Sequence, residues 1–310
     1  MAADKGDSFA MNDYANILKS GDCVEINIPE AIRYLKTAIK KGNSKAMYNY
    51  ATMLKKGDGI DANIPEAIRF YKMAADNGNS EAMYEYAHML HDFDDAEANM
   101  PEIINYCKMA IEKTNYDAMI FYAYLVFTYD SIAVDKKEVI KYFKIAADNG
   151  NLDAMFNYAY QLYEGIFIPQ NLSEAAIYYK KAADKGHVLA MFFYACMLRK
   201  SRKYIDKYEA TQYFKMAADK GNSDAMNAYA LMIFYRIGPV TDMSEAIRYT
   251  KMAIDKGNSD AMYNYSFWLK YGIGVKVNKP EAFHYLEMAA NYGNQEAIKS
   301  LRHFNRCNIY

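Results

Sequence analysis

The sequence predicts an all-α chain built as a linear solenoid of eight helix–loop–helix repeats of about 36 residues, followed by a half repeat. Three recurrences predict it. The pair Ala-Met stands at 10, 46, 82, 118, 154, 190, 225 and 261 and returns as Ala-Ile at 297, in steps of 36 with a single 35. An Asn or Asp lies three residues before a Glu once in every repeat, and a glycine closes seven of the eight repeats. Fixed self-similarity at this period signals supersecondary units that stack on their neighbours and grow in a line, not a closed core.

The first helix of each unit, helix A, begins at the Ala-Met pair. Counting that alanine as zero, position +4 is tyrosine in all eight units, +5 is alanine or Ser266, and +8 is aliphatic from Leu18 to Leu269. Offsets 0, +1, +4, +5 and +8 share one face of a helix of 3.6 residues per turn. A small residue at +5 predicts that a second helix backbone passes close by.

The second helix, helix B, is announced by its cap. The pairs are Asn27/Glu30, Asn63/Glu66, Asn99/Glu102, Asp135/Glu138, Asn171/Glu174, Asp206/Glu209, Asp242/Glu245 and Asn278/Glu281. That spacing suits a reciprocal cap in which each side chain satisfies a free backbone N–H. Prolines 29, 65, 101 and 280 fall in the same first turn, where a missing N–H costs little. Recurrence in every unit makes these glutamates structural acids, not catalytic ones. An aromatic follows each Glu by four residues and an alanine by eight. Glycine at 42, 78, 150, 186, 221, 257 and 293 then offers a left-handed stop, with Thr114 the exception. The Asn that usually follows caps the next helix A.

In chain order, residues 1–6 match the end of a helix B, so the reading expects a segment before Met1 and treats 1–310 as one solenoid within a longer product. The repeats run over about 7–42, 43–78, 79–114, 115–150, 151–186, 187–221, 222–257 and 258–293, and 294–310 forms a terminal helix carrying Arg302, His303 and Arg306. Gly57-Asp-Gly59 and Gly272-Ile-Gly274 read as turns between helices, since a phosphate-cradling Gly-x-Gly would follow a strand. The corresponding loops His91–Asn99, Tyr129–Asp135 and Lys200–Asp206 lack them.

Composition narrows the function classes. Lys plus Arg total 37 against 38 Asp plus Glu, too balanced for a phosphate-tracking surface, so no nucleic-acid partner is expected. No apolar run reaches the length of a membrane span, and no charged head with an apolar stretch opens the chain. The four cysteines, 23, 107, 196 and 307, share no repeat position, as in a reduced, cytoplasmic protein. His88 and His91 could both reach one metal and Asp92 and Asp95 are near, but no Cys joins them at a ligand spacing, and two histidines on a polar face read as solvated side chains where zinc wants three or four ligands. No nucleophile, base and orienting group recur together. The reading is no enzyme, no cofactor and no metal.

Ala46, Tyr50-Ala51, Gly57-Asp-Gly59, Ala67, Tyr71-Lys72, Ala74-Ala75 and Gly78 stand in the order of the Sel1-like repeat pattern, and the whole chain resembles that family, a relative of tetratricopeptide repeats. Tyr-Ala replaces the family's Leu-Gly, and repeats three to seven carry degenerate loops. The resemblance implies a right-handed α/α superhelix with helices A lining the concave side. It also implies a non-catalytic adaptor or scaffold that binds a protein or peptide segment.

Binding should use what varies between repeats. Offsets +2, +6 and +9 form a second stripe on helix A, which the resemblance turns toward a groove. It carries Tyr48 in repeat two, Tyr84 and His88 in three, Ile120, Tyr124 and Phe127 in four, and Phe156, Tyr160 and Tyr163 in five. Phe192 and Arg199 follow in six, Phe234 in seven, and Tyr263 and Phe267 in eight. An aromatic middle with polar ends suits an extended or helical partner segment. The same stripe admits another reading, burial of +2 and +6 against the next helix A. Two further readings of function stay open: a regulatory or targeting arm of a larger enzyme such as a signalling kinase, its catalytic part before Met1, or a receptor for a small ligand or metal.

Overall fold

The computed structural model describes residues 2–93, 95–129, 131–132, 134–237 and 242–307, and its helices fall into two units, Met1–Asn151 and Leu152–Tyr310. The first opens on a 3₁₀ turn, Ala3–Lys5. It continues through α1 (Ser8–Ser20), α2 (Ile28–Lys40), α3 (Ser44–Lys56), α4 (Ile64–Asp76), α5 (Ser80–Phe93), α6 (Ala96–Glu112), α7 (Tyr116–Thr128) and α8 (Lys136–Asp148). The second holds α9 (Leu152–Glu164), α10 (Leu172–Asp184), α11 (Val188–Arg199), α12 (Tyr204–Asp219), α13 (Ser223–Phe234), α14 (Met243–Asp255), α15 (Ser259–Tyr271), α16 (Lys279–Asn291) and α17 (Gln295–Cys307). Odd numbers are helices A, even numbers helices B, and no strand occurs among the described residues. Within each unit every helix packs on its neighbours in sequence, as a repeat array requires. No described helix is long and apolar enough to cross a membrane. The side chains of His303, Arg306 and Cys307 lie outside the described residues.

The two fixed aromatic positions meet each other. Tyr14 and Tyr34, Tyr86 and Tyr106, Tyr194 and Tyr213 and the five equivalent pairs stand edge to face with ring centroids 4.8–6.1 Å apart. Edge-to-face pairs add roughly 0.5–1.5 kcal/mol beyond their area burial. Each pair locks A to B inside one repeat. The +5 alanines are 0–1% exposed, which is the close helix approach their size predicts.

Within each unit a lysine six residues after the cap Glu then links one repeat to the next. Lys36 lies over the Tyr50 ring, Lys72 over Tyr86, Lys108 over Tyr122, Lys180 over Tyr194, Lys215 over Tyr229 and Lys251 over Tyr265, at 5.0–6.0 Å. The helix B tyrosines add a second tie by donating to the aspartate that ends the preceding helix B: Tyr106 to Asp76, Tyr213 to Asp184 and Tyr249 to Asp219. Tyr34 donates to Asp4 of the opening 3₁₀ turn in the same way.

The caps depart from expectation in an instructive way. Asn27, Asn63, Asn171 and Asn278 accept from the N–H of their partner Glu. The glutamate does not return the bond to the cap's backbone. That N–H is already given to the carbonyl of the preceding helix A at Leu18, Leu54, Leu162 or Leu269. The carboxylate takes the Asn side-chain amide instead, and in Glu102, Glu174, Glu209 and Glu245 the hydroxyl of the helix A tyrosine. In repeats three and six helix B starts earlier, so the expected caps Asn99 and Asp206 lie inside α6 and α12. Asp95 caps α6, which leaves Pro101 within the helix and makes most of the expected His91–Asn99 loop helical. Helix-favouring Ala96, Glu97 and Ala98 carry the helix back to Asp95.

The second glycines of the Gly-x-Gly turns earn their place by packing. A Cβ on Gly59 would come within 2.6 Å of Ile28, and on Gly274 within 2.9 Å of Met243. Both contacts are with the preceding helix B. The methionines divide. Those at +1 are all buried, whereas Met73 and Met216 on helices B are 37% and 43% exposed.

Candidate functional site

The +2, +6 and +9 stripe is neither fully open nor fully buried. Tyr124, Tyr160 and Phe267 at +6 are 50%, 37% and 44% exposed, and Arg199 is exposed as well. Tyr48, Tyr84, His88, Ile120, Phe127, Phe156, Tyr163, Phe192, Phe234 and Tyr263 are half-buried.

The cause is a position that the sequence reading passed over. In four helices A, two in each unit, residue +3 turns toward the preceding helix A and meets its +2 residue. Tyr84 meets Phe121 at 6.1 Å and Phe156 meets Phe193 at 5.6 Å, while the Asn49 amide donates to Asn12 at 2.8 Å and Asn264 to Asn227 at 2.9 Å. Residue +7 points the same way and is buried as Met53, Met89, Leu125, Met232 and Trp268. Two ladders of side chains therefore join successive helices A. The +3 ladder was hidden because its rungs are chemically mixed: amide, acid and aromatic occupy one structural position.

In the first unit the ladder gathers Tyr84 and His88 of α5 with Tyr124 of α7 around the unexpected Phe121. His88 lies 5.0 Å, His91 5.6 Å and Tyr124 6.4 Å from that ring. Asp92 holds both imidazoles by their Nδ1 atoms, at 3.0 and 2.9 Å, and the Tyr129 hydroxyl meets His91 Nε2 at 3.1 Å. No three His, Cys, Asp or Glu side chains converge in metal-binding fashion among the described residues. Tyr48 packs on Tyr71 at 5.7 Å, and Phe127 turns away to stack on Phe143 of α8. Ile120 and Phe127 thus stand outside the cluster.

In the second unit Phe156 is the hub. It meets Tyr160, Tyr179, His187 and Phe193 with centroids 5.0–6.4 Å apart. His187 also caps α11, accepting from the Ala190 N–H at Nδ1 and facing Asp153 with Nε2. Tyr163 approaches Tyr179 and takes Lys200 on its hydroxyl. Phe192 and Arg199 pack on Phe214, whereas Phe234 stacks on Trp268, so these three serve helix packing as much as any partner. Tyr179, His187, Phe193 and Phe121 are the cluster members absent from the stripe. The second aromatic of helix B at Tyr71 and Tyr179 was the signal that could have found the first of them.

A family profile described as Sel1 repeat matches residues 8–43, 44–79, 117–151, 152–187, 188–222, 223–258 and 259–294. The stretch left out holds the third repeat, with its shortened loop and Thr114. Among solved structures, a protective antigen of uropathogenic Escherichia coli that displays an SLR fold superposes with a TM-score of 0.86 at 20% identity, covering 96% of this chain and 64% of that one. This chain therefore spans about two thirds of that relative's length. A Sel1 repeat protein of Oxalobacter formigenes superposes with a TM-score of 0.68 at 21% identity, covering 97% and 88%. Among curated proteins none matches the chain.

Proposed function

The chain belongs to the Sel1 repeat family, and on that premise we propose that it is a non-catalytic interaction scaffold that grips a protein segment along the helix A face. One observation carries the proposal. The +6 aromatics stand exposed, Tyr124 at 50%, on top of rings that are themselves held in fixed packing, as at Phe121 and Phe156. Exposed aromatics on a rigid base are the side chains that anchor partners at low entropic cost. Three described cysteines, Cys23, Cys107 and Cys196, are free thiols, which supports a reducing compartment such as the cytoplasm.

The test takes the helix A face apart one unit at a time. Tyr124→Ser and Tyr160→Ser leave the buried ladder in place, and Arg69→Ser on the opposite, helix B side serves as control. Losing an aromatic anchor costs about 2 kcal/mol, roughly a 30-fold loss of affinity for the captured partner. Partners retained equally by all three variants, with unchanged melting curves, would refute the reading.

A further inference from the structure

We propose that the space between α15, α16 and α17 is a binding pocket for a small organic acid, an apolar body with a carboxylate head. The cavity holds about 690 Å³ and is lined by Tyr263, Phe267, Leu286 and Ser300, with Lys270 and Lys279 at its rim. That volume falls within the range of small-molecule sites, which are mostly apolar with a few orienting polar groups.

The pocket exists because the ladder lacks its rungs there. Ser300 is the +3 residue of α17, where Phe121 and Phe193 fill the equivalent space. Leu286 holds the helix B position taken by Tyr71 and Tyr179. A serine and a leucine in place of two rings leave the void.

The charge follows from the same register. Lys270 is the +9 residue of its repeat, and the +9 residue of repeat two, Lys55, pairs at 2.8 Å with Glu85, the +3 residue of the next helix A. For Lys270 that place is taken by Ser300, which offers no carboxylate. Lys270 lies over the Tyr271 ring at 5.1 Å, and neither it nor Lys279 has an acidic partner among the described residues. A ligand carboxylate would stand where Glu85 stands, its apolar body where the missing rings would be. The pocket shares Tyr263 and Phe267 with the helix A face but needs no protein partner.

Titration calorimetry of the full chain with decanoate below its micellar concentration tests it, with decanol and decyltrimethylammonium as controls. Decanoate should bind at least tenfold tighter than either, and Lys270→Gln should remove that advantage. Ser300→Glu restores the in-chain partner of Lys270 and should abolish decanoate binding. Ser300→Phe should abolish it by filling the void. Both changes copy residues the ladder already carries, and a thermal melt confirms that each variant folds. No binding by decanoate, equal binding by decanol, or binding undiminished in Ser300→Glu and Ser300→Phe overturns the proposal.

Discussion

Tyr71 and Tyr179 occupy one position in two repeats, and their hydroxyls meet opposite fates. The Tyr71 hydroxyl lies 3.0 Å from Thr52 Oγ1, while that of Tyr179, on a fully buried ring, has no hydrogen-bond partner among the described residues. The difference arises on the facing helix, where the residue matching Thr52 is Tyr160. A buried polar group without a partner costs about 1–3 kcal/mol, whereas a satisfied neutral hydrogen bond nets about 1 kcal/mol. Tyr179→Phe is therefore expected to raise stability by about 1 kcal/mol or more, and Tyr71→Phe to lower it by a smaller amount. Urea denaturation of the two variants decides the matter, and a Tyr179→Phe midpoint below that of the parent would contradict it. The sequence shows both tyrosines at the same register. It does not show the hydrogen-bonding inventory opposite them, because that depends on a residue from another helix.

At the scale of the element, helix stops were the most legible feature and the third repeat the least. Gly42, Gly78, Gly150, Gly186, Gly221, Gly257 and Gly293 all adopt positive φ, and Thr114 is forced into the same region at φ 62°. A β-branched residue there costs about 1–2 kcal/mol, and glycine's extra unfolded-state entropy returns about 0.4–1 kcal/mol of that. The first effect is the larger. Thr114→Gly should stabilise by about 1 kcal/mol, visible as a higher melting temperature, and an unchanged or lower one would show that α6 ends by other means. Helix B starts were read correctly where the Asx cap sits beside a true loop, as at Asn27 and Asn63. They were misplaced at Asn99 and Asp206, since the same three-residue spacing persists when a helix extends backward through it. Spacing marks a turn of helix without saying whether that turn is the first.

Across the molecule, a period within one helix reveals which side is apolar but not which neighbour that side meets. Hence the aromatic lock inside each repeat was foreseeable, while the +3 ladder with its mixed rungs was not. The ties between repeats are polar, which gives stability a pH dependence. In repeat three Glu102 accepts from Lys72 of the preceding repeat and from Tyr86 at 3.0 Å. The Lys72 bond holds the Glu102 carboxyl below the usual carboxylate range against the opposing effect of burial, and Tyr86 adds to it. At Asp219 burial pushes upward, but hydrogen bonds from Tyr249 and Lys215 outweigh it and hold that carboxyl low. A carboxylate whose pKa is depressed by folding contributes stability that is complete above its unfolded value, 4.5 for Glu and 3.8 for Asp here, and that disappears as pH falls through the folded value. The loss therefore belongs below pH 4.5 and not near neutrality. Side chains of Lys72 and Glu102 are 44% and 38% exposed, so salt weakens the pair and its effect is modest. Urea midpoints measured from pH 6 to pH 3 should fall less steeply for Glu102→Gln than for the parent. The gap between the two should narrow in high salt. Parallel curves at low salt would mean that the repeats are joined by their rings and ladders alone, and that the ion pairs between helices B are passengers.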